Sequence, residues 1–483
     1  MYLTRWIETH ARIRPSKIAI VDRTRQTQLT YRELYRAALA QAARLQALGV
    51  EPGDRVALFS NNRHEVLEVF FGCAFLGAAL VPLNVRLNRG ELEKILEDCS
   101  PRLLLVEAGL EDQAPAHPQA FPLTTAAAGE PQGRPAADPR APVAILYTGG
   151  TTGTPKGAIL THESIQWNAW NTISGWGLCS DDIAPVFTPM FHTGGLNVLA
   201  TPLFCLGGTV VLPGPFDPEL ALSIIEQERC TLVFMVPTMY EMLRQAQGFA
   251  GSRFSAVRQL ISGGAPCPEP LFQAYWELGL PLRQGYGLTE AGPNNFGVNP
   301  EEARKRPGTV GVPLPNVQIR LVREDGREAD HGEVGELVVA GGHVMPGYWG
   351  RPHETGQVLQ DGWLRTGDLA RRDVDGYYYI CGRSKEMFIS GGENVFPAEV
   401  EGVLLSHPDV AEAAVVGVPH PKWGEIGRAY LVPTAGRNLD PDEMLEYCRL
   451  RLGRYKVPKE VVVRDSLPKS AAGKVLKRLL VNH

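Results

Sequence analysis

The sequence has few cysteines for its length, and none of them are closely spaced. Only 8 occur among 483 residues, without the C-x-x-C pair that binds zinc or forms a redox dithiol. We therefore expect reduced, mostly buried thiols in a cytoplasmic protein. The cysteines are Cys73, Cys99, Cys179, Cys205, Cys230, Cys267, Cys381 and Cys448.

The sequence also lacks an excess of positive charge and a long apolar segment. The formal net charge is −5, which argues against nucleic acid or an anionic membrane as the main partner. The apolar run from Val69 to Leu83 is too short to span a bilayer, and it is typical of a buried helix that leads into a strand. We therefore expect small-molecule ligands and no integral membrane segment.

The chain is long enough for two or three domains. Short apolar runs such as "RVALFS", "SPRLLLVE" and "CTLVFMVP" alternate with helical patterns, which predicts an α/β fold with parallel sheets. Thr30 and Glu33 form a capping box at the start of one helix. The region from Leu110 to Arg140 is rich in Ala, Pro and Gly, so it predicts an exposed connection without regular structure. Short strands after residue 307 predict a β-rich subdomain, and the final segment has its own strands and helices.

The segment "YTGGTTGTPKGA" has the composition of a phosphate-binding loop. It follows an apolar run, its glycines let backbone amides approach an anion, and its threonines and lysine add hydroxyls and charge. It differs from the loop of common ATPases and kinases, in which Gly precedes the Lys and Ser or Thr follows it. The predicted phosphate-binding residues are Thr148, Gly149, Gly150, Thr151, Thr152, Gly153, Thr154 and Lys156.

This loop resembles the signature loop of the adenylate-forming superfamily, which contains acyl-CoA synthetases, aryl-CoA ligases, peptide-synthetase adenylation domains and luciferases. Segments similar to the family's other motifs follow in order: "PMFHTGG", "SGGAP", "GYGLTE", "WLRTGD", "YYYICGRSKEMFISGGENVFPAEVE" and "PKSAAGKVLKR". The resemblance implies a two-step reaction. A carboxylate attacks the α-phosphorus of ATP and expels diphosphate, and a thiol then attacks the acyl-adenylate.

The resemblance also implies how the fold is divided. The expected fold class is α/β, with a large N-terminal domain of stacked α/β sheets that includes the β-rich subdomain, over residues 1–384. A small mobile α+β C-terminal domain is expected over residues 385–483. Free coenzyme A is the expected thiol, with a carrier-protein thiol as the alternative, and homodimers are frequent in the family.

Matching positions assign residues to ATP and its metal ion. Thr148 and Glu290 match the residues that hold Mg²⁺, an ion that prefers oxygen ligands and takes few of them from protein. Tyr286 matches the residue that stacks on adenine, Asp368 one that binds the ribose hydroxyls, and Arg383 a second ribose or phosphate contact. The other matching nucleotide-binding residues are Gly263, Gly264, Ala265, Gly287 and Thr289.

Lys474 matches the catalytic lysine of the family, whereas the nearby Lys469 and Lys477 do not match. In the family this lysine contacts the carboxylate and the α-phosphate together, and so offsets charge as the reacting centre forms. The thiol must approach through the space of this lysine loop. The resemblance therefore implies that the C-terminal domain rotates about Lys385 between the two steps.

After rotation, the glycines of the turn "SGGEN" are expected to pass close to the pantetheine arm of coenzyme A. These glycines are Gly391 and Gly392.

His192 matches a residue that faces the carboxylate of the acid and positions it. The residues that follow it, Gly194, Gly195 and Leu196, are small or apolar, as is Met239 in "VPTMYEML". They offer no cation for a second carboxylate, which favours an apolar acyl chain of medium or long length. An aryl-CoA ligase, including the o-succinylbenzoate type, is the alternative.

Two other functions fit the sequence less well. An ATPase or kinase would need the Gly-Lys-Ser/Thr loop, which this chain replaces with Pro155-Lys156-Gly157. A catalytically silent binding protein has no need to keep Lys474, Glu290, Asp368 and Arg383 together. One departure from many relatives is Gly149, which removes a hydroxyl from the phosphate loop.

We predict that Lys474→Ala abolishes formation of the acyl-adenylate but leaves thioester formation from supplied acyl-adenylate largely intact. The reason is that the lysine acts on the α-phosphate, which has already reacted before the thiol attacks. Diphosphate release measures the first step, and coenzyme A consumption with synthetic acyl-adenylate measures the second. Equal loss in both steps would contradict this division of labour.

Overall fold

The computed structural model describes residues 2–133, 138–148, 155–252, 254–390, 392–469 and 475–481. Some residues named from the sequence lie outside these ranges: Gly149, Gly150, Thr151, Thr152, Gly153, Thr154, Gly391 and Lys474. The α-helices are α1 (Thr4–Ile13), α2 (Tyr31–Ala47), α3 (His64–Leu76), α4 (Arg89–Cys99), α5 (His162–Trp176), α6 (Thr193–Asn197), α7 (Ala200–Leu206), α8 (Pro218–Gln227), α9 (Pro237–Gln245), α10 (Glu269–Glu277), α11 (Pro300–Lys305), α12 (Pro352–Val358), α13 (Pro397–Leu405) and α14 (Pro441–Arg449).

The strands of the first half of the chain are β1 (Ile18–Asp22), β2 (Thr27–Thr30), β3 (Arg55–Phe59), β4 (Ala79–Leu83), β5 (Leu103–Val106), β6 (Ala120–Pro122), β7 (Pro142–Thr148), β8 (Lys156–Thr161), β9 (Ile183–Pro185), β10 (Thr209–Leu212), β11 (Leu232–Met235), β12 (Gln259–Ser262) and β13 (Leu282–Gln284). The later strands are β14 (Phe296–Gly297), β15 (Val312–Pro313), β16 (Gln318–Val322), β17 (Val334–Ala340), β18 (Leu359–Gln360), β19 (Trp363–Arg372), β20 (Tyr378–Arg383), β21 (Phe388–Ser390), β22 (Glu393–Val395), β23 (Val410–His420), β24 (Gly424–Pro433) and β25 (Glu460–Val463).

Two mainly parallel sheets form the first part of the fold. One has the strand order β6-β5-β3-β4-β7-β8, and only its last pair is antiparallel. The other sheet, β2-β1-β10-β9, is linked to the parallel sheet β11-β12-β13 by a bridge between Val186 and Phe234. All of α3 is buried, and it leads into β4 through Gly77, whose φ is 73°. The predicted parallel sheets and the buried helix before a strand are confirmed.

The sheets that follow are mainly antiparallel. Strands β16 to β20 form one five-stranded antiparallel sheet, which is the predicted β-rich part. Strands β21 to β25 form a second five-stranded sheet, in which β24 and β25 pair in parallel and the other pairs are antiparallel. Helices α13 and α14 lie beside it, and its separate apolar core contains Phe388, Val400 and Leu431. The predicted domain boundary at residue 385 falls between the end of β20 and the start of β21.

Three local predictions can be compared with the structure. Thr30 and Glu33 form the predicted capping box at the start of α2. All eight cysteines are free, and five of them are buried. No helix of the described ranges combines the length and hydrophobicity needed to cross a membrane.

The prediction for the region from Leu110 to Arg140 was wrong in part. Strand β6 within it pairs in parallel with β5, and Leu123 just after β6 is buried. A three-residue edge strand is too short to show the alternation by which strands are recognised in a sequence.

Buried charges connect the two parallel sheets. Asp22 at the end of β1 accepts hydrogen bonds from the backbone N–H and ring nitrogen of His64 at the start of α3, at 3.0 and 2.9 Å. Burial alone raises the pKa of Asp22, but the hydrogen bonds from His64 and Thr24 hold it well below its usual range. Burial lowers the pKa of His64, yet Asp22 and neighbouring glutamates raise it overall. The pair is therefore most stable with both groups charged.

We predict that Asp22→Asn lowers the stability of the protein by roughly 3 kcal/mol, because it leaves the buried His64 with only the more distant carboxylates of Glu65 and Glu68, at 3.4 and 3.7 Å. The depressed pKa of Asp22 stabilises the fold above about pH 4, and this contribution is lost as the pH falls further. The raised pKa of His64 stabilises it below about pH 6.5, and that contribution is lost as the pH rises. Thermal unfolding should therefore show the largest difference between wild type and variant from about pH 4 to 6.5.

The matched control is Asp181→Asn, because the Asp181 side chain is 92% exposed in its ion pair with Lys17. Exposed pairs contribute little, so we expect the control to unfold like the wild type. The prediction would be contradicted if the difference in unfolding temperature between Asp22→Asn and the wild type did not change with pH.

Candidate active site

Residues predicted for the site lie where parallel strands end. Thr148 is the last residue of β7, Gly263 follows β12, and Tyr286 lies two residues after β13. The carboxyl ends of the strands in α/β sheets are where ligands bind. The sequence predicted that the binding and catalytic residues lie in the loops after these strands. The structure contains strands at the predicted places.

Glu290 lies at the junction of these segments. The Thr148 hydroxyl donates to Oε1 of Glu290 at 3.4 Å, and the Tyr348 hydroxyl donates to the same oxygen at 3.0 Å. The backbone N–H of Met345 donates to the Glu290 carbonyl at 2.8 Å. The structure therefore brings together the two predicted magnesium ligands, Thr148 and Glu290. Their facing oxygen atoms are the donor type that Mg²⁺ prefers, so this pair fits the ion.

Lys156 lies on the other side of the same tyrosine. Its ammonium is 5.3 Å from the centroid of the Tyr348 ring, within the range of a cation–π contact. The cation of the predicted phosphate loop thus lies near the predicted metal ligands.

The predicted adenosine-binding residues form a second hydrogen-bonded chain. The Tyr286 hydroxyl donates to Oδ2 of Asp368 at 2.6 Å, and Arg383 pairs with Oδ1 of the same carboxylate at 3.0 Å. Asp368 and Arg383 are partners in the register of β19 and β20. Asp368 is buried, whereas the Arg383 side chain is 42% exposed. The carboxylate is therefore fixed in place while the guanidinium can reach a ligand.

The glycines near the predicted purine position are required by close packing. The backbone N–H of Gly263 donates to the Met235 carbonyl at 3.3 Å, and Gly264 has a φ of 82°. A Cβ at Gly287 would lie 2.1 Å from the Pro293 carbonyl oxygen, so no larger residue fits there. Ala265 is exposed next to Gly264, and Thr289 begins a short 3₁₀ turn that includes Glu290.

His192 precedes α6 as its N-cap residue, and its Nε2 has no hydrogen-bond partner among the described residues. Burial, helped by the charge of Arg86, lowers the pKa of His192 to about 4. The imidazole is therefore neutral at pH 7. It can orient a carboxylate through a hydrogen bond, but it supplies no positive charge.

Gly194, one of the residues predicted to contact the acid, lies beside an aromatic ring. A Cβ at Gly194 would lie 3.4 Å from the Phe234 ring, and a Cβ at Gly263 would lie 3.0 Å from it. Leu196 is buried in the main core, and Gly195 is packed against the Pro189 carbonyl. The ring of Phe234 therefore lies between the segment after His192 and the predicted purine turn.

Helix α9 carries Met239, which the sequence predicted to contact the acid. Met239 is half-buried and packs against the core of the β11-β12-β13 sheet, while Met242 is 46% exposed. Residues three apart in sequence lie near the same face of an α-helix, so both methionines belong to one side of α9.

The C-terminal sheet holds the remaining candidates. Lys477 pairs with Glu386 and Glu401, both at 2.8 Å, and Lys469 pairs with Glu412 at 2.8 Å. Both alternatives to Lys474 are thus engaged in ion pairs. Lys385 lies in the turn between β20 and β21, and the exposed Gly392 has a φ of 89°.

Sequence reasoning missed several residues near the site. Phe234 and Tyr348 belong to no motif that was recognised, and the same holds for Asn168 in α5 and His343 after β17. A signal existed only for Phe234, which lies in a strand whose carboxyl end was expected to face the ligand. The other three reach the site through tertiary packing.

Fold, motifs and site geometry together define an adenylate-forming ligase. The chain belongs to the AMP-binding enzyme family, which it matches over residues 7–349, with the AMP-binding enzyme C-terminal domain matched over residues 399–474. It is an acid–thiol ligase of the coenzyme A ligase branch. Ligases of this branch use ATP, Mg²⁺ and coenzyme A. The predicted fold class, with a large N-terminal and a small C-terminal domain, is confirmed.

Several characterised proteins are similar over nearly their whole length. A feruloyl-CoA synthase from Amycolatopsis sp is 43% identical over 98% of this chain and 97% of its own. An indoleacetate–CoA ligase from Aromatoleum aromaticum is 40% identical over 99% and 97%. A long-chain-fatty-acid–CoA ligase from Mycobacterium tuberculosis is 35% identical over 98% and 97%. The structure of an o-succinylbenzoate coenzyme A synthetase from Bacillus subtilis with ATP and magnesium ion has a TM-score of 0.89 and 32% identity, covering 99% of each chain.

We predict that Glu290→Gln lowers kcat/KM for ATP by about 100-fold or more, because a carboxylate that compensates the charge of the ion becomes a neutral amide. A titration of diphosphate release with Mg²⁺ should show a higher half-saturating concentration. Tyr348→Phe keeps the carboxylate and removes one hydrogen bond to it, so we expect a loss of about 10-fold or less. A Gln variant with the magnesium dependence of the wild type would show that Glu290 does not contact the ion.

Proposed function

We propose that this chain is a coenzyme A ligase for an aromatic carboxylic acid. The sequence favoured an aliphatic acid of medium or long chain and kept aromatic acids as the alternative; we now prefer the alternative. The observation that carries it is the packing of Phe234 against the positions of Gly194 and Gly263. We infer that this ring forms an aromatic wall on the acid side, and an aromatic wall suits a planar acid better than a flexible chain.

A comparison of sequences supports the proposal. The relatives that act on aryl acids, feruloyl-CoA synthase and indoleacetate–CoA ligase, are more similar to this chain than the long-chain-fatty-acid–CoA ligase.

We propose the following division of work in the first step. Thr148 and Glu290 would hold Mg²⁺, and the bound ion would offset charge on the phosphates of ATP. Asp368 and Arg383 hold the ribose, and Tyr286 lies against adenine. Neutral His192 orients the carboxylate of the acid toward the α-phosphorus. Lys474, on the C-terminal domain, is proposed to stabilise the charge that develops there.

The second step needs space for the thiol of coenzyme A. We propose that the C-terminal domain turns about Lys385 after the adenylate has formed, which removes Lys474 and brings the turn with Gly392 toward the pantetheine arm. Glycine in that turn lets the backbone approach closely.

The test is acid-dependent diphosphate release and acyl-CoA formation with a panel of acids. Ferulic, cinnamic and indole-3-acetic acids represent aromatic substrates, and decanoic and hexadecanoic acids represent aliphatic ones. We expect kcat/KM for the best aromatic acid to exceed that for either fatty acid by about 10-fold or more. A preference for a fatty acid would refute the proposal and favour the aliphatic alternative.

A further inference from the structure

One carboxylate outside the recognised motifs contacts both segments that carry the candidate metal site. Asp98, near the end of α4, accepts a hydrogen bond on Oδ2 from the Tyr147 hydroxyl at 2.6 Å. Its Oδ1 accepts from Nη2 of Arg351, also at 2.6 Å. The Asp98 side chain is 15% exposed, so both bonds are partly shielded from water. Asp98 therefore ties the end of β7 to the segment that enters α12.

The bond to Tyr147 acts on the phosphate-loop side of the site. Tyr147 precedes Thr148, the candidate magnesium ligand, and it pairs with Gly157 in the hairpin of β7 and β8. A Cβ at Gly157 would lie 3.1 Å from Cζ of Tyr147, so the tyrosine ring lies across this glycine. Burial raises the pKa of Tyr147 far above its usual range, so its hydroxyl remains a donor. The bond to Asp98 thus holds the backbone from which Thr148 projects.

The bond to Arg351 acts on the opposite side of the same site. The backbone N–H of Arg351 donates to the Tyr348 carbonyl at 3.3 Å, and the Tyr348 hydroxyl donates to Glu290 at 3.0 Å. Tyr348 also forms a β-bridge with Ala158 of β8. The two bonds of Asp98 therefore lead to the two residues whose hydroxyls contact the Glu290 carboxylate.

The candidate metal ligands need such support. Mg²⁺ requires near-octahedral geometry, with oxygen ligands at about 2.0–2.1 Å. The Thr148 hydroxyl is 3.4 Å from Oε1 of Glu290, a long hydrogen bond that restrains the pair only weakly. Their placement must therefore come from the groups that hold the surrounding backbone. Loss of a group that orients a metal ligand typically costs about 10- to 100-fold in metal affinity or activity.

We propose that Asp98 is a positioning residue for the magnesium site. Through its two bonds it keeps the side chains of Thr148 and Glu290 facing each other. Both of its oxygens are occupied by protein donors, so it acts through these residues and not on ATP itself. The inference rests on the part of the proposed function that assigns Mg²⁺ to Thr148 and Glu290, and it does not depend on which acid is the substrate.

The experiment measures ATP binding without turnover, with Asp98→Asn as the test variant. An amide has one acceptor oxygen where the carboxylate has two, so one of the two donors then faces an NH₂ group. Isothermal titration calorimetry without acid gives the Kd for ATP, in Mg²⁺ and in EDTA. We expect the Kd in Mg²⁺ to rise by about 10-fold. The Kd in EDTA should keep its wild-type value, because the ligands are disturbed only toward the ion.

The second half-reaction provides a readout that a packing defect would change. Thioester formation from supplied acyl-adenylate and coenzyme A begins after diphosphate has left, so it does not need the metal that binds the phosphates. We therefore expect Asp98→Asn to form the thioester at the wild-type rate, and to release diphosphate from ATP and acid with a raised half-saturating concentration of Mg²⁺.

The matched control is Glu228→Gln. Glu228 and Arg23 are 2.6 Å apart with 18% and 37% of their side chains exposed, whereas Asp98 and Arg351 are 2.6 Å apart with 15% and 35% exposed. The two ion pairs are therefore alike in length and burial, but Glu228 lies just after α8. We expect the control to bind ATP like the wild type, both in Mg²⁺ and in EDTA.

Three results would overturn the inference. The first is a wild-type Kd in Mg²⁺ for Asp98→Asn, and the second is an equal rise of the Kd in Mg²⁺ and in EDTA. The third is an equal loss in both half-reactions, which would show a packing defect. If Asp98→Asn fails to fold, Tyr147→Phe replaces it under the same expectations, because it keeps the ring and removes one hydrogen bond.

Failure of the proposed metal site would be recognised separately. Wild-type ATP binding that is the same in Mg²⁺ and in EDTA would refute both the magnesium role of Thr148 and Glu290 and the positioning role of Asp98. A wild type that responds to Mg²⁺, together with an unchanged Asp98→Asn variant, would refute only the positioning role. The preference for aromatic acids is measured by the acid panel and is independent of these results.

Discussion

The active-site cleft depends on the position of one carboxylate, that of Glu290. Its oxygen accepts hydrogen bonds from Thr148 at the end of β7 and from Tyr348 close to α12, while its backbone carbonyl is bound by Met345. These partners come from parts of the chain separated by 142 and 58 residues. The carboxylate can be held there only when the first parallel sheet, the β13 strand and the antiparallel sheet are already packed together. Assembly of the candidate metal site is thus a consequence of the whole fold.

The distribution of charge around the cleft follows from the cost of burying ions. Burial keeps His192 and His343 neutral, because an imidazolium in either place would lose its hydration without gaining a carboxylate. The charged groups, Asp368 with Arg383 and Glu290 near Lys156, lie on the side predicted for the nucleotide. Cations and carboxylates are paired there, whereas on the side predicted for the acid Arg86 is the cation whose charge acts on His192. A neutral His192 beside this cation can accept or donate a hydrogen bond without adding a second positive charge.

The sequence predicted the structural features that depend on residues close together in the chain. The capping box at Thr30, the run from α3 into β4 and the glycines of the ligand loops all depend on neighbours in the chain, so their patterns survive in the sequence. The short edge strand β6 was missed because three residues give no periodicity. Asn168 and His343 were missed for a different reason. Each is an ordinary polar residue at its own position, and it comes near the site only when α5, α6 and the segment after β17 meet around one cavity.

The same argument explains why small apolar residues after His192 could not identify the acid. Gly194 and Gly195 indicate only that space or close packing is needed, and an aliphatic chain, an aryl ring or a protein side chain can fill it. Here Phe234 approaches Gly194 and Gly263, and the backbone of Pro189 occupies the space at Gly195. A small residue in the sequence therefore records that a close approach is needed at that position, but the group that makes the approach comes from a distant part of the chain and is known only once the strands have packed together.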